Sequence, residues 1–284
     1  VSGFSAEWLA LREPADHAAR NRDLLAATAA AVADRQPVHV LDLGCGTGSN
    51  LRAMAPQLGP EQYWRLVDHD ALLLAKAREE LRRWADATFA EDTGGLVLSA
   101  AGRRIGVSFI AHDLSGGIGP LLAAPTDLVT AAALFDLVSA AWIETFVQAV
   151  AVARLPFYTA LTYDGREAWE PPHSDDEAVH GAFLAHQQRD KGFGPAAGPR
   201  ATGLLADGFR GAGYTVSEAA SPWRLTERER ALVAMLADGT AAAVGETGQV
   251  AADRLAAWRA ARAQASRCLV GHADLLAVPT TGDQ

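Results

Sequence analysis

Apolar residues recur along the chain with two different spacings. Around Leu24, Leu25, Ala29 and Val32, and again at Leu73, Leu74, Ala77, Leu81 and Trp84, they return every three to four positions, the period of a helix with one buried face. Between such stretches lie short apolar runs: Val38–Leu43, Tyr63–Val67, Ile105–Ile110, Asp127–Thr130 and Phe157–Tyr163. Runs of that kind read as strands covered on both faces, the condition of a parallel sheet. Leu96–Leu98 and Ile105–Ile110 flank Ala101–Arg104, which predicts a hairpin leading into the third of these strands. Residues 5–33 predict one or two helices with a break at Pro14, and further helices fall after Asp70, from Asp136 to Val150, near 204–212, after the Thr226–Glu229 capping pattern, and over about 250–265. Cys268–Val278 is the last strand. Alternating strands and helices define an α/β fold.

Interrupting the alternation most sharply is the segment that follows Val38–Leu43, where Gly44, Gly46 and Gly48 are separated by single residues. Glycines there permit positive φ and remove side chains where a ligand must lie against the backbone. Leu51, Met54 and Leu58 then resume helical spacing, so the loop joins a strand to a helix at the carboxyl edge of the sheet, where α/β proteins bind ligands. A dinucleotide fingerprint places its third glycine one residue later, and the G-x-x-x-x-G-K-[ST] phosphate loop is absent.

Asp42-Leu43-Gly44-Cys45-Gly46-Thr47-Gly48 resembles the D-x-G-x-G-x-G signature of the class I S-adenosylmethionine-dependent methyltransferases. The resemblance covers roughly residues 37–163 by ordered motifs. It implies a Rossmann-like, doubly wound, mostly parallel seven-stranded sheet with an antiparallel last strand, preceded by N-terminal helices (1–36), interrupted by a lid-like substrate insertion (164–199) and completed by residues 200–284. It also implies S-adenosyl-L-methionine as cofactor, held by Asp42, Gly44, Cys45, Gly46 and Asn50 at the loop. Asp68, at the end of the second strand, would accept from the ribose hydroxyls, with His69 beside the adenine. Asp113 and Leu114 lie at the third strand end, where the family places the adenine amino group, although a turn-forming Asp would look the same. Ala133 and Leu134 close the fourth strand, near the reacting methyl group. Arg20, ahead of Arg12, is the guanidinium suited to the methionine carboxylate; both could equally be solvated helix charges. Asp70 reads as a helix cap.

At the fourth strand end the [DNS]-P-P-[YFW] motif of many nucleic-acid and protein N-methylases is missing, and Ala131–Asp136 stand in its place. That departure and a net charge of −9 argue against nucleic acid as partner, since phosphate recognition needs clustered Lys and Arg. A small-molecule acceptor with an oxygen or nitrogen nucleophile is the expectation, methylated by in-line displacement; a non-catalytic binder of S-adenosylmethionine or S-adenosylhomocysteine is the alternative. Segment 164–199 opens on the Asp164-Gly165 turn signal and is rich in His, Arg and aromatic residues, so Tyr163, Arg189 and Lys191 are candidate substrate contacts and His173 and His186 candidate bases. His180 and His186 fall on different helix faces, which disfavours a metal site. Two cysteines, Cys45 and Cys268, define no disulfide framework, and no apolar run reaches membrane-spanning length, so no membrane partner and a cytoplasmic location are expected. The oligomeric state is open.

Overall fold

A computed structural model describes residues 4–92 and 94–280. Ser5 and Asn21 cap the two leading helices, α1 (Ala6–Ala19) and α2 (Arg22–Ala31), by accepting from the amides of Trp8 and Leu24. The chain then runs β1 (Val38–Leu43), α3 (Ser49–Met54), β2 (Glu61–Asp68), α4 (Ala71–Trp84), β3 (Ala87–Glu91), β4 (Gly95–Ala100), β5 (Arg103–Ala111), β6 (Leu128–Ala132), α5 (Ala140–Val152), β7 (Phe157–Glu170), α6 (Asp176–Gln187), α7 (Ala201–Gly211), β8 (Tyr214–Ala220), β9 (Trp223–Leu225), α8 (Arg230–Gly245), α9 (Ala252–Arg262) and β10 (Arg267–Pro279).

The strands form one sheet in the order β3-β4-β5-β2-β1-β6-β7-β10-β8, with β9 also paired to β10. β5, β2, β1, β6 and β7 are parallel, and β10 is antiparallel to both of its neighbours. The expected seven strands are therefore present. Ten are found because β3 and β4 extend the edge beyond β5 as a hairpin and β9 pairs along β10. All five residues of β3 are exposed, which is why no apolar pattern marks it.

β1 shows how the sheet is covered. Val38 and Val40 pack with Trp64, Leu66, Leu74 and Leu81 on one face, whereas Leu41 and Leu43 pack with Val129, Phe146, Leu205 and Phe209 on the other. Strand order reverses between β1 and β6, each starting from opposite sides of the same crevice. A third apolar cluster joins Tyr163, Trp169, Val179, Trp223, Val233 and Trp258, where the long β7–β10 pair projects past the parallel strands under α6, α8 and α9.

Two predicted breaks are not breaks. Pro14 lies inside α1, because the buried Arg12–Asp16 pair spans it and the helix is fixed by packing on both sides. The Asp164-Gly165 signal closes no hairpin, so β7 runs on to Glu170 and residues 164–170 belong to the sheet. Asp164 accepts from the Arg166 amide at 2.9 Å, Gly165 takes φ +85°, and β10 shifts register between Val270 and His272. Gly271 sits opposite, where any side chain would collide with the Asp164 carboxylate. The turn chemistry forms a kink in a strand rather than a reversal. The predicted helix start at Asp136 is likewise displaced: Phe135–Leu137 make a single 3-10 turn, and Ser139 caps α5. Thr280 donates to the Gly213 carbonyl through both its amide and its hydroxyl, whereas residues 281–284 lie outside the described residues.

Asp274 fastens these layers together. Fully buried in β10, it accepts from the Asn21 amide (2.9 Å), the Leu161 amide (2.9 Å) and the Tyr158 hydroxyl (3.1 Å). Replacing it by Ala leaves three buried donors unpaired, and we expect a loss of ~3 kcal/mol in urea-melt stability, with Tyr158→Phe costing well under half of that.

Candidate functional site

At the carboxyl edge of β1 the chain turns through Gly44, Gly46 and Gly48, with φ of +63°, +52° and +78°. These left-handed values are open to glycine without strain. The Cys45 amide donates to the Val67 carbonyl and the Gly46 amide to Asp68 Oδ2, both at 2.9 Å, which ties the loop to the end of β2. Asp68 Oδ1 accepts from the Asp70 amide (3.0 Å) and lies 3.4 Å from His69 Nδ1. A carboxylate has about four acceptor directions, so Asp68 retains capacity beside the glycines.

Directly beneath is Asp42, fully buried. Its Oδ1 accepts from Asn50 Nδ2 at 2.7 Å, and the same amide nitrogen reaches Thr130 Oγ1 at 3.2 Å. Asp42 Oδ2 and Asn50 Oδ1 have no hydrogen-bond partner among the described residues. Burial pushes the Asp42 carboxyl up to about 7, with Asp68 adding to the rise, against the opposing pull of the Asn50 hydrogen bond and the Arg20 charge. Arg20, the residue that ends α1, is only 6% exposed, yet its Nε and Nη1 likewise lack partners among the described residues.

Helix α1 covers the loop. A side chain at Gly46 would press on Leu9 Cδ1. Glu13 pairs with Arg52 through two contacts of 2.5 and 2.7 Å, and Arg52 Nη1 also donates to the Thr47 carbonyl at 2.8 Å. His17 Nε2 lies 2.9 Å from Ser49 Oγ. Burial lowers the His17 pKa, Arg20 and Arg52 push the same way, and Glu13 and Ser49 oppose them.

The next strand ends complete the crevice. Asp113 is exposed and accepts from the Ser115 amide at 2.9 Å, a bond that holds its carboxyl below the usual range. Leu114 is buried, and its carbonyl accepts from Trp142 Nε1. Ala133 takes φ +52° with its amide on the Ala160 carbonyl, and Leu134 reaches back against Gly44. Thus Arg20, Asp42, Gly44, Cys45, Gly46, Asn50 and Asp68 are brought together by hydrogen bonds, burial and mutual charge, and Leu134 joins them by contact. His69 stands at the rim.

The residues predicted on the substrate side divide. Tyr163 is buried on β7, opposite His272. His173, His180, His186 and Arg189 instead fasten α6: His173 Nδ1 accepts from the Asp175 amide, His180 bonds the Gly165 carbonyl, and His186 and Arg189 both pair with Glu246 at the end of α8. Lys191 lies in the loop beyond and acts on Glu246 through its charge. None of these five forms a hydrogen bond or ion pair with the glycine loop among the described residues. Two polar residues the sequence reading left without a role, Asp136 and His272, are buried with unpartnered side-chain atoms. Each interrupts an otherwise apolar stretch, and that was the available signal.

No protein-family model and no curated protein matches the sequence. Solved structures do. A cyclopropane-fatty-acyl-phospholipid synthase-like protein from Lactobacillus casei is 17% identical, aligned over 96% of this chain and 94% of its own, with a TM-score of 0.53. A SAM-dependent methyltransferase from Geobacter sulfurreducens, solved with S-adenosyl-L-homocysteine, is 18% identical over 97% and 99%, with a TM-score of 0.45. At such identities the likeness is one of fold, and the fold is Rossmann-like, a mostly parallel α/β sheet with an antiparallel strand. Among the described residues no helix is long and apolar enough to cross a membrane.

The Asp42 carboxyl sets a pH signature. Its folded value of about 7 lies above the ordinary 3.8, so the folded state holds the extra proton between them and stability contributed by Asp42 is present below pH 4 and lost as pH rises to 7. Asp42→Asn should therefore gain stability relative to wild type progressively over pH 4–7, by up to ~4 kcal/mol at pH 7.5, measured by urea melts of both proteins. His272, lowered to about 3 by burial, acts with the opposite sign and cancels in that difference.

Proposed function

We propose that the protein is an S-adenosyl-L-methionine-dependent methyltransferase acting on a small-molecule acceptor through an oxygen or nitrogen nucleophile. One observation carries the reading: a nearly buried guanidinium, Arg20, with two unpaired N–H-bearing nitrogens stands beside two acidic groups and a glycine loop at the crevice between β1 and β6. Arg20 acts on the Tyr158 hydroxyl and on Asp42, yet two buried nitrogens left unpaired on a cation are costly, and a ligand carboxylate would satisfy them bidentately. The dyad of Asp42 Oδ2 and Asn50 Oδ1 leaves two acceptors that a ligand's ammonium group fits. Asp68 holds hydroxyls from its remaining acceptor directions, Gly44 and Gly46 admit close approach of the backbone, and Asp113, whose second oxygen takes no part in its cap, with buried Leu114, covers the adenine end.

When bound, the cofactor supplies a methyl group on a positively charged sulfur, so the leaving group is already activated. The protein's share is then positioning and exclusion of water. Helix α1 serves the second task, closing over Gly46 through Leu9 and locking by Glu13–Arg52 and His17–Ser49. His173 and His186 remain candidate bases only if α6 rearranges, because their rings are engaged in holding it.

Isothermal titration of the full chain tests the reading directly. We expect S-adenosylmethionine and S-adenosylhomocysteine to bind, and Arg20→Ala to weaken both by more than tenfold, the loss of ~1.5–3 kcal/mol associated with hydrogen bonds to a charged group. Absence of binding by either compound to folded wild-type protein overturns the proposal.

A further inference from the structure

Beyond the cofactor crevice, a second set of buried polar atoms lacks partners. Asp136 Oδ1 comes from the turn after β6, the Tyr163 hydroxyl from β7, His272 Nδ1 from β10 and Trp8 Nε1 from α1. Four separate elements thus direct unsatisfied groups toward one region. Tyr163 and His272 are partners across the strands, with ring centroids 6.2 Å apart. His272 lies 5.0 Å from Trp223, whose ring is 6.4 Å from Trp8 and is covered by the Arg12 guanidinium at 5.1 Å. Asp136 is coupled by charge to Arg12 and lies by the Tyr163 amide. The cluster adjoins Ala133 and Leu134, the strand end that closes the cofactor crevice. Buried polar groups are normally hydrogen-bonded, so four orphans in one region call for a ligand.

We propose that Asp136, Tyr163 and His272, with Trp8 and Trp223 as its aromatic walls, form the methyl-acceptor site, and that the site takes a ring-sized molecule presenting an amine or hydroxyl hydrogen to Asp136. This rests on the methyltransferase reading above. Charge decides what is admitted. Arg12 is committed to Asp16 by contacts of 2.8 and 3.2 Å, and Asp16 Oδ1 accepts from Trp223 Nε1 as well. The pair is neutral; of the carboxylates that act on Tyr163, Glu167 accepts from Trp169 Nε1 and Asp164 pairs with Arg166, which leaves Asp136 as the one with an unpartnered oxygen. Burial raises its carboxyl to about 6, against the pull of Arg12 and the Tyr163 amide, so it is ionised at neutral pH and still a serviceable proton acceptor. Burial keeps the Tyr163 hydroxyl protonated and the His272 ring neutral, and both offer uncharged hydrogen bonds. A carboxylate at this position would meet Asp136 without a free cation; an N–H or O–H meets a ready acceptor. In the reaction the acceptor's bond to hydrogen breaks as its bond to the methyl carbon forms. That proton passes to Asp136 Oδ1, the electron pair of the former sulfur–carbon bond stays on sulfur, and Asp136 later releases the proton to solvent.

Three probes with one ring and different head groups test the site: benzylamine, benzyl alcohol and benzoate, each titrated at pH 7.5 into the full chain saturated with S-adenosylhomocysteine. Benzylamine, benzyl alcohol or both should bind at least tenfold more tightly than benzoate, and which of them does so distinguishes an amine from a hydroxyl acceptor. Asp136→Asn should abolish that preference with the affinity for S-adenosylhomocysteine unchanged, and Tyr163→Phe should weaken the favoured probe severalfold. If Asp136→Asn does not fold, the wild-type preference is read at pH 5, where protonation of Asp136, faced by Arg12, Tyr163 and His272, should reduce it about tenfold. Equal binding of benzoate, no binding of any probe, or a preference that survives Asp136→Asn overturns the acceptor site alone. Failure of S-adenosylhomocysteine to bind overturns the methyltransferase reading and this site with it.

Discussion

Buried negative charge at the carboxyl edge of the sheet is the constraint around which the crevice is arranged. Asp42, Asp68, Asp136 and Asp274 are all less than a tenth exposed, and Arg20 is the buried cation nearest to Asp42. Each carboxylate is handled differently. Asp274 is satisfied by two amides and a phenol, and serves the fold. Asp68 is half satisfied by two amides, which orient it without exhausting it. Asp42 and Asp136 each keep an oxygen with no partner, and burial raises both. An apolar replacement at such positions is generally the more stable choice. Retaining the carboxylates makes physical sense where a ligand with donors and positive charge completes them.

Helix α1 links that electrostatic problem to access. It carries Arg20 at its end, Arg12 and Trp8 on its inner side, and Glu13 and His17 as its fastenings to the glycine loop and α3. The fastenings to the loop are polar and partly exposed, whereas Trp8, Leu11 and Ala15 of the same helix pack on the apolar cluster beneath α8. The Asn21 amide on Asp274 ties the junction between α1 and α2 to β10. Arg20 and Arg12, about two turns apart along α1, act on different buried carboxylates, Asp42 and Asp136.

Much of this was legible in the residues because parallel strands, buried on both faces, leave unbroken apolar runs, and glycines at 44, 46 and 48 mark the left-handed turn that ends β1. Asp70 as a cap, the hairpin before β5 and the antiparallel last strand all follow from local chemistry or from the family resemblance. What escaped has physical causes. β3 buries nothing, so it has no periodicity to read. Pro14 and Asp164-Gly165 are strong local signals overruled by tertiary contacts, the packing of Trp8, Leu11 and Ala15 on the third apolar cluster for the one and a paired strand along the other. The histidines of 173–186 drew notice by composition, which does not tell a ring that holds a helix from a ring that faces a crevice.

Asp136 and His272 argue the converse. Both were passed over as parts of a helix and a strand, yet a charged or ionisable residue inside an apolar run has to be solvated, paired or supplied with a ligand. The structure removes the first option by burial and leaves the second incomplete. The third then follows from position: Asp136 stands three residues past Ala133, at the strand end next to the crevice, and His272 is placed across from Tyr163 by the same kink that Asp164 and Gly271 build into β7 and β10. A straight continuation from Val270–Glu167 would have set His272 opposite Gly165, two residues from Tyr163, so the two additional residues of β7 at the kink are what bring His272 opposite Tyr163. The turn chemistry at Asp164-Gly165, which closes no hairpin, therefore sets these two rings side by side across the strands.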